Sequence, residues 1–241
     1  MEVHKHPHHV MHKKKWNEYL LEFLMIFFAV FLGFVAENIR EHLADKKRGE
    51  EYIKSFVEDL KKDTAQYTKL IEELKSQDSI TDNITDCYDS VGRNVRSTNC
   101  LNNITYNLVG FTDFVYTDRT IQQLKNAGGL SLIRDKSIAD SITSYDALVR
   151  TELIHQEVLE TYQQKTIDAA KAIIDFRSFS KIYSRNSSNK GDIELLQNSK
   201  QAIDSYFNSL WVFKNNIQGQ IAALRRLKTK ASGLIVFLND K

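Results

Sequence analysis

Residues 16–40 read WNEYLLEFLMIFFAVFLGFVAENIR, and this stretch decides the architecture. Its uninterrupted apolar run, 23–36, makes about 21 Å of helix, short of the ~30 Å hydrocarbon core of a bilayer. Starting at Trp16 and taking in Leu20, Leu21 and Glu22 brings it to roughly the 20 residues that a span requires. Trp16 and Tyr19 then fall in the interfacial aromatic belt, with Lys13, Lys14 and Lys15 beyond it. A cleaved signal peptide has a similar basic start and apolar centre. However, Phe34-Val35-Ala36 puts a phenylalanine where the cleavage site needs a small residue. A soluble amphipathic helix carries one apolar stripe, whereas Phe23, Phe27, Phe28, Phe31 and Phe34 surround most of the circumference. The expectation is an uncleaved transmembrane helix over 16–38. A basic, histidine-rich tail over 1–15 precedes it, and a helical domain over 39–241 follows.

Orientation rests on flanking charge. Lys5, Lys13, Lys14 and Lys15 lie before the span, and Arg40, Lys46, Lys47 and Arg48 after it, so the basic residues balance. Three lysines abut the span directly, as in signal anchors, which favours the amino terminus in the cytoplasm and the rest outside. The whole chain of 241 residues has 33 basic and 31 acidic side chains, a net charge of +2, which argues against a nucleic-acid binder working by bulk electrostatics. At 42% hydrophobic and 27% charged, it is not a disordered chain. The single proline is Pro7, so nothing later in the sequence carries this helix breaker.

Beyond the membrane exit the helical pattern does not stop. Ile53, Val57, Leu60, Thr64, Tyr67, Ile71 and Leu74 step by four and three, and the same register runs back through Glu50, Lys46, Leu43 and Ile39. A mixed stretch over 79–109 has Ile80, Ile84, Cys87, Val91 and Val95 at helical spacing. The spacing predicts a short helix over 118–127, capped by Thr117 or Asp118 and ended by Gly128-Gly129. An extended link over 130–133 follows, then a helix capped by Asp135 with Ile138, Ile142, Tyr145, Val149 and Leu153 on one face, running to about Phe176. The polar stretch 184–191 reads as a loop. A last helix is predicted from Asp192, with Ile193, Leu196, Ile203, Phe207, Leu210, Ile217, Ile221 and Leu224 in one seam. The fold class is all-α: an N-terminal transmembrane helix continuing into a long helix, followed by an antiparallel helical bundle.

Chemistry-bearing motifs are sparse. The sequence holds no phosphate-binding glycine loop, no GxGxxG, GxSxG, HExxH or CxxC, so neither an enzyme nor a cofactor nor a fixed metal site is expected. The tail histidines at 4, 6, 8, 9 and 12 suit a transition metal only weakly, without fixed geometry. Glu22 aligns with Ile26, Ala29, Gly33 and Ala36 on one helical face, placing a carboxylate among small residues. Small-xxx-small spacing lets transmembrane helices approach closely, and a charge in the bilayer normally faces a partner. This face is the candidate association surface; the alternative is a Glu22 resting near the headgroups of a thin or tilted span. Cys87 and Cys100 would lie about 20 Å apart on one helix, so a disulfide requires the chain to turn between them. Two reduced, packed thiols are the alternative, and the bridge agrees better with an extracytoplasmic domain.

Two blocks carry a resemblance. The first is Tyr19-Leu20-Leu21-Glu22 through Gly33 and Asn38, followed by EEYIKSFVEDLKKD at 50–63; the second is QQLKNAGGLSLIRDKSIADSITSYD at 122–146. Together they resemble an uncharacterised bacterial family of single-pass membrane proteins, classed as a domain of unknown function. The phenylalanine-rich span and the lack of a tryptophan after the membrane exit depart from that family's pattern. The resemblance implies a bacterial inner-membrane protein with a periplasmic domain, and it implies no catalytic residues. The leading expectation is a membrane-anchored scaffold or accessory subunit of a larger envelope complex, partnered by the lipid bilayer and by its own copies or a polytopic membrane protein. The alternatives are a sensory ectodomain signalling through a partner, and an ion-coupled motor or transporter subunit using Glu22.

Overall fold

A computed structural model describes residues 15–92, 99–110, 113–126, 128–183, 193–196 and 199–240. The histidine tail and the 184–191 loop fall outside the described residues, apart from Lys15 at the tail's end. The structure is all-α: among the described residues the only extended pairing is an isolated bridge between Ile174 and Leu195.

Helix α1, Trp16–Ile80, runs unbroken for 65 residues, about 98 Å. From 16 to 48 its side chains are exposed, save half-buried Glu22 and Asp45. Burial begins at Gly49 and then follows the sequence pattern, with Val57, Leu60, Tyr67, Ile71 and Leu74 in the core. Ile39, Leu43, Lys46 and Glu50, on the same register, stay exposed. The apolar N-terminal part of α1 is long and apolar enough to cross a membrane, and none of it is buried in the protein.

A 3-10 turn at Thr81–Asn83 leads into α2, Ile84–Gly92, and α3, Asn99–Leu108. After a non-helical stretch over 113–118 comes α4, Arg119–Asn126. Gly128 ends this region with φ 65°, a left-handed conformation that suits glycine. The link expected to be extended over 130–133 is instead a 3-10 turn, Gly129–Leu132, with only Ile133 extended. Helix α5, Lys136–Lys171, starts as predicted: Asp135 is the N-cap, accepting from the Ser137 amide.

Two boundaries differ from the sequence reading. α5 ends at Lys171, followed by a turn and then α6, Phe176–Tyr183. α7 is Lys200–Asn239, beginning well after Asp192. Both shifts share a cause. Residues 193–196 lie extended against the turn after α5, with the Leu196 amide donating to the Ile173 carbonyl and the Asp175 amide to the Glu194 carbonyl. Ile193 is buried there and Leu196 is exposed, so the apparent helical seam over 193–196 is not a helix face.

α1, α5 and α7 form the bundle's centre. α7 runs antiparallel to α1, since Lys214 reaches Asp78 and Asp82 while Leu238 lies beside Val57. It is antiparallel to α5 as well, where Arg226 grips Glu152 at 2.8 Å and Thr166 donates to the Ser209 carbonyl. Lys214 lies in the α7 seam and is mostly buried, its ammonium drawn to the carboxylates at the end of α1.

Close approach at the bundle's base depends on Gly49. A Cβ there would sit 2.5 Å from the Leu132 carbonyl oxygen, a backbone atom. Gly219 on α7 is exposed with open space around it. Alanine ordinarily stabilises a helix interior by about 1 kcal/mol over glycine. Gly219→Ala should therefore raise the melting temperature of the detergent-solubilised protein. Gly49→Ala should lower it, through overpacking that costs about 1–3 kcal/mol. Equal gains in circular-dichroism melts of the two variants would contradict the packing.

Candidate functional site

The five residues of the predicted association face, Glu22, Ile26, Ala29, Gly33 and Ala36, lie on one side of α1, as four-and-three steps on an unbroken helix require. Ile26, Ala29, Gly33 and Ala36 are exposed, with nothing within 4 Å of a Cβ built on Gly33. The face thus offers a smooth surface that no other part of the described chain covers.

Above the span, the bundle rests on α1 through the segment between α4 and α5. Arg134 contacts His42 Nδ1 at 3.1 Å, and Gly49 admits the Leu132 backbone. On another side of α1, between the start of α5 and the end of α7, lies an open groove of about 410 Å³. Ile53, Val57, Ile138 and Leu238 supply its apolar lining. Lys54 and Lys61 stand on its rim with Glu50 and Glu58.

The most developed polar chemistry is inside the bundle, and the sequence reading missed it. Asp59 and Asp63, one turn apart on α1, are each 1% exposed. Asp59 accepts from the Thr120 amide at 3.1 Å, from the Thr120 hydroxyl, and from Arg119 at 3.3 Å. It acts as an N-terminal cap for α4 supplied by a different helix. Asp63 accepts from the Thr117 amide at 3.0 Å and the Tyr145 hydroxyl at 3.3 Å; that hydroxyl also meets Tyr67 at 2.9 Å. Nearby, buried Asp146 takes Lys125 and, at 3.1 Å, Arg150. Asp59, Asp63, Lys125, Tyr145 and Asp146 all come from the two sequence blocks quoted above, which fold against each other.

Burial pushes the Asp63 carboxyl upward, with the Asp59 charge adding to it and the hydrogen bonds from Thr117 and Tyr145 opposing it. Burial also raises the hydroxyls of Tyr67, Tyr116 and Tyr145. For Asp146, burial acts in the same direction, yet Arg150 and Lys125 together outweigh it and hold the carboxyl below its ordinary value. These groups are pinned into structural contacts, so the network serves to seat α4 and the 113–118 segment on α1. A sequence signal existed: acids at 59 and 63, four apart, beside the apolar positions of an amphipathic helix.

Cys87 and Cys100 form a disulfide that joins α2 to α3, with Cα atoms 5.7 Å apart. On one continuous helix the two would lie about 20 Å apart. Closing a loop of this size stabilises by about 3 kcal/mol in the chain-entropy model. Among the described residues no group of three or more His, Cys, Asp or Glu side chains could hold a metal ion.

Compared with protein-family models, curated proteins and solved structures, the chain matches none.

The carboxylates titrate with opposite consequences. Asp63, with its folded pKa raised, carries a penalty at neutral pH that is relieved as pH falls through that value. Asp146, with its folded pKa lowered, contributes stability that is full above 3.8 and lost as pH falls through the lower folded value. Asp63→Asn keeps an acceptor for Thr117 and should melt at or above the native temperature at pH 7, the gap closing towards pH 3.8. Asp63→Leu strands the Thr117 amide and should cost about 1–3 kcal/mol. A destabilised Asn variant beside a native-like Leu variant, in melts from pH 7 down, would refute the assignment.

Proposed function

We propose that this chain is a single-pass, membrane-anchored helical interaction protein that acts as a scaffold or accessory subunit of a larger envelope complex, without an enzymatic reaction of its own. One observation carries the reading: an apolar helix, unburied by its own protein, continues without a break into a packed bundle. Exposing that much apolar surface to water is strongly unfavourable, and lipid is the medium that covers it. Rigid continuity then holds the bundle at a fixed height and rotation relative to the bilayer, which suits a part whose task is to present a surface.

The orientation we propose has the amino terminus in the cytoplasm and the bundle outside it, in the periplasm of a bacterial inner membrane. The three lysines abutting the span support it. So does the Cys87–Cys100 disulfide, since such bonds persist in oxidising compartments. The resemblance to single-pass bacterial membrane proteins points the same way.

Alkaline carbonate should leave the protein in the membrane pellet, and protease added to spheroplasts should digest the bundle while sparing an N-terminal tag. Blocking free thiols before reduction should show Cys87 and Cys100 oxidised. Release by carbonate would end the anchoring reading; a bundle protected until the cells are lysed would reverse the orientation.

A further inference from the structure

Arg40, Lys47, Lys54 and Lys61 stand seven residues apart on α1, and all four are exposed. Seven residues fall about 20° short of two full turns, so on one unbroken helix they form a single, slowly winding basic stripe. Alongside it, Ile39 and Leu43 are 55% and 64% exposed. They lie beyond the segment assigned to the bilayer, where lipid tails do not cover them. Nearly three turns further on, past Lys46 and Glu50 on the same register, the helix reaches the groove whose lining includes Ile53, Val57, Ile138 and Leu238. Ala29, Ala36, Leu43, Glu50 and Val57 share one heptad position, so the small-residue face of the span lines up with Ile39 and Leu43 and, beyond the polar Lys46 and Glu50, with the groove.

The stripe decides what fits there. Two copies anchored in one bilayer with the same topology are parallel. A symmetric pairing through this face would set Arg40, Lys47, Lys54 and Lys61 each against its own copy, a like-charge ladder that opposes association. Carboxylates on α1 itself partly neutralise the stripe: Glu37 pairs with Arg40, Glu51 lies 4.0 Å from Lys47, and Glu58 lies 2.7 Å from Lys61. Such exposed pairs are weak and exchange readily for a partner's carboxylates. Lys54 has no ion pair of this kind among the described residues and lines the groove itself.

We propose that this face docks a helix of a different membrane protein. That helix leaves the bilayer alongside α1, turns an apolar seam towards Ile39, Leu43 and the groove, and faces the basic stripe with carboxylates. The proposal rests on the anchoring reading for the partner's direction of approach, and the test separates the two.

The probes are two soluble helical peptides with the same leucine seam, one flanked by glutamates and the other by lysines. Each is titrated by fluorescence anisotropy onto the full chain in an uncharged detergent. The glutamate peptide should bind about tenfold more tightly than the lysine peptide, and added salt should erode the difference. The Lys54→Glu/Lys61→Glu double variant, whose substitutions are on exposed positions, should reverse the preference. Failure of both peptides to bind, or a preference indifferent to the charge reversal, overturns the proposal. So does efficient disulfide dimerisation of Leu43→Cys in vesicles, which would make a second copy the occupant. Charge-selective binding by a carbonate-extractable protein would sink the anchor and keep the groove; a carbonate-resistant protein blind to peptide charge would do the opposite.

Discussion

An α-helix satisfies its backbone hydrogen bonds within itself, so it is indifferent to whether lipid, water or protein surrounds it. The rest of this structure depends on that property of α1, Trp16–Ile80. With no proline after Pro7, one helix passes through three environments: an apolar segment suited to lipid, an exposed stretch over 39–48, and a core. What changes along it is only which faces are apolar. α7 packs antiparallel on its upper half, α4 is capped by its carboxylates, and the turn before α5 touches it at Gly49. A kink anywhere between Ala36 and Gly49 would uncouple the bundle's position from the span. A straight helix makes the rotation of the span and the direction in which the groove faces a single variable.

The buried acids explain why the 113–118 segment seats in one place. Apolar packing alone tolerates sliding, because leucines and isoleucines repeat each turn. Asp59 and Asp63 do not, since each accepts particular amides, those of Thr120 and Thr117. A shift of one turn, which is the spacing of the two acids, would still leave one of them buried without its donors, at a cost of several kcal/mol. The same logic holds at Glu152, which is 5% exposed and gripped by the Arg226 guanidinium through three contacts. Polar groups set the register here, and the apolar seam around them supplies most of the free energy of burial.

Local signals were legible in the sequence, and distant ones were not. The unbroken α1, the Asp135 cap, the glycine stop after α4 and the core seam from Val57 to Leu74 all follow from neighbours within a few residues. The start of α7 was misplaced because Ile193 and Leu196 fit a helical repeat, while the bonds that hold them extended come from Ile173, Asp175 and Asn102. The 3-10 turn at Gly129–Leu132 is closed by local bonds, Ser131 to Gly128 and Ile133 to Leu130, but its packing against Gly49 joins residues distant in the chain. The acids at 59 and 63 looked like one more charged face; only the arrival of Thr117 and Thr120 makes them caps. The groove was invisible for a related reason: Ile53, Val57, Ile138 and Leu238 meet only after three helices pack.

The most direct test of the rod is a spin-label scan along 20–60 in lipid vesicles, comparing access to dissolved oxygen with access to a water-soluble nickel chelate. If α1 is a continuous rod anchored in lipid, oxygen dominates through about Ala36, with a crossover near Asn38. From there to Arg48, access should be to water, with helical periodicity continuing into the bundle. Chelate access throughout 23–36, or loss of the 3.6-residue period over 39–48, would contradict it.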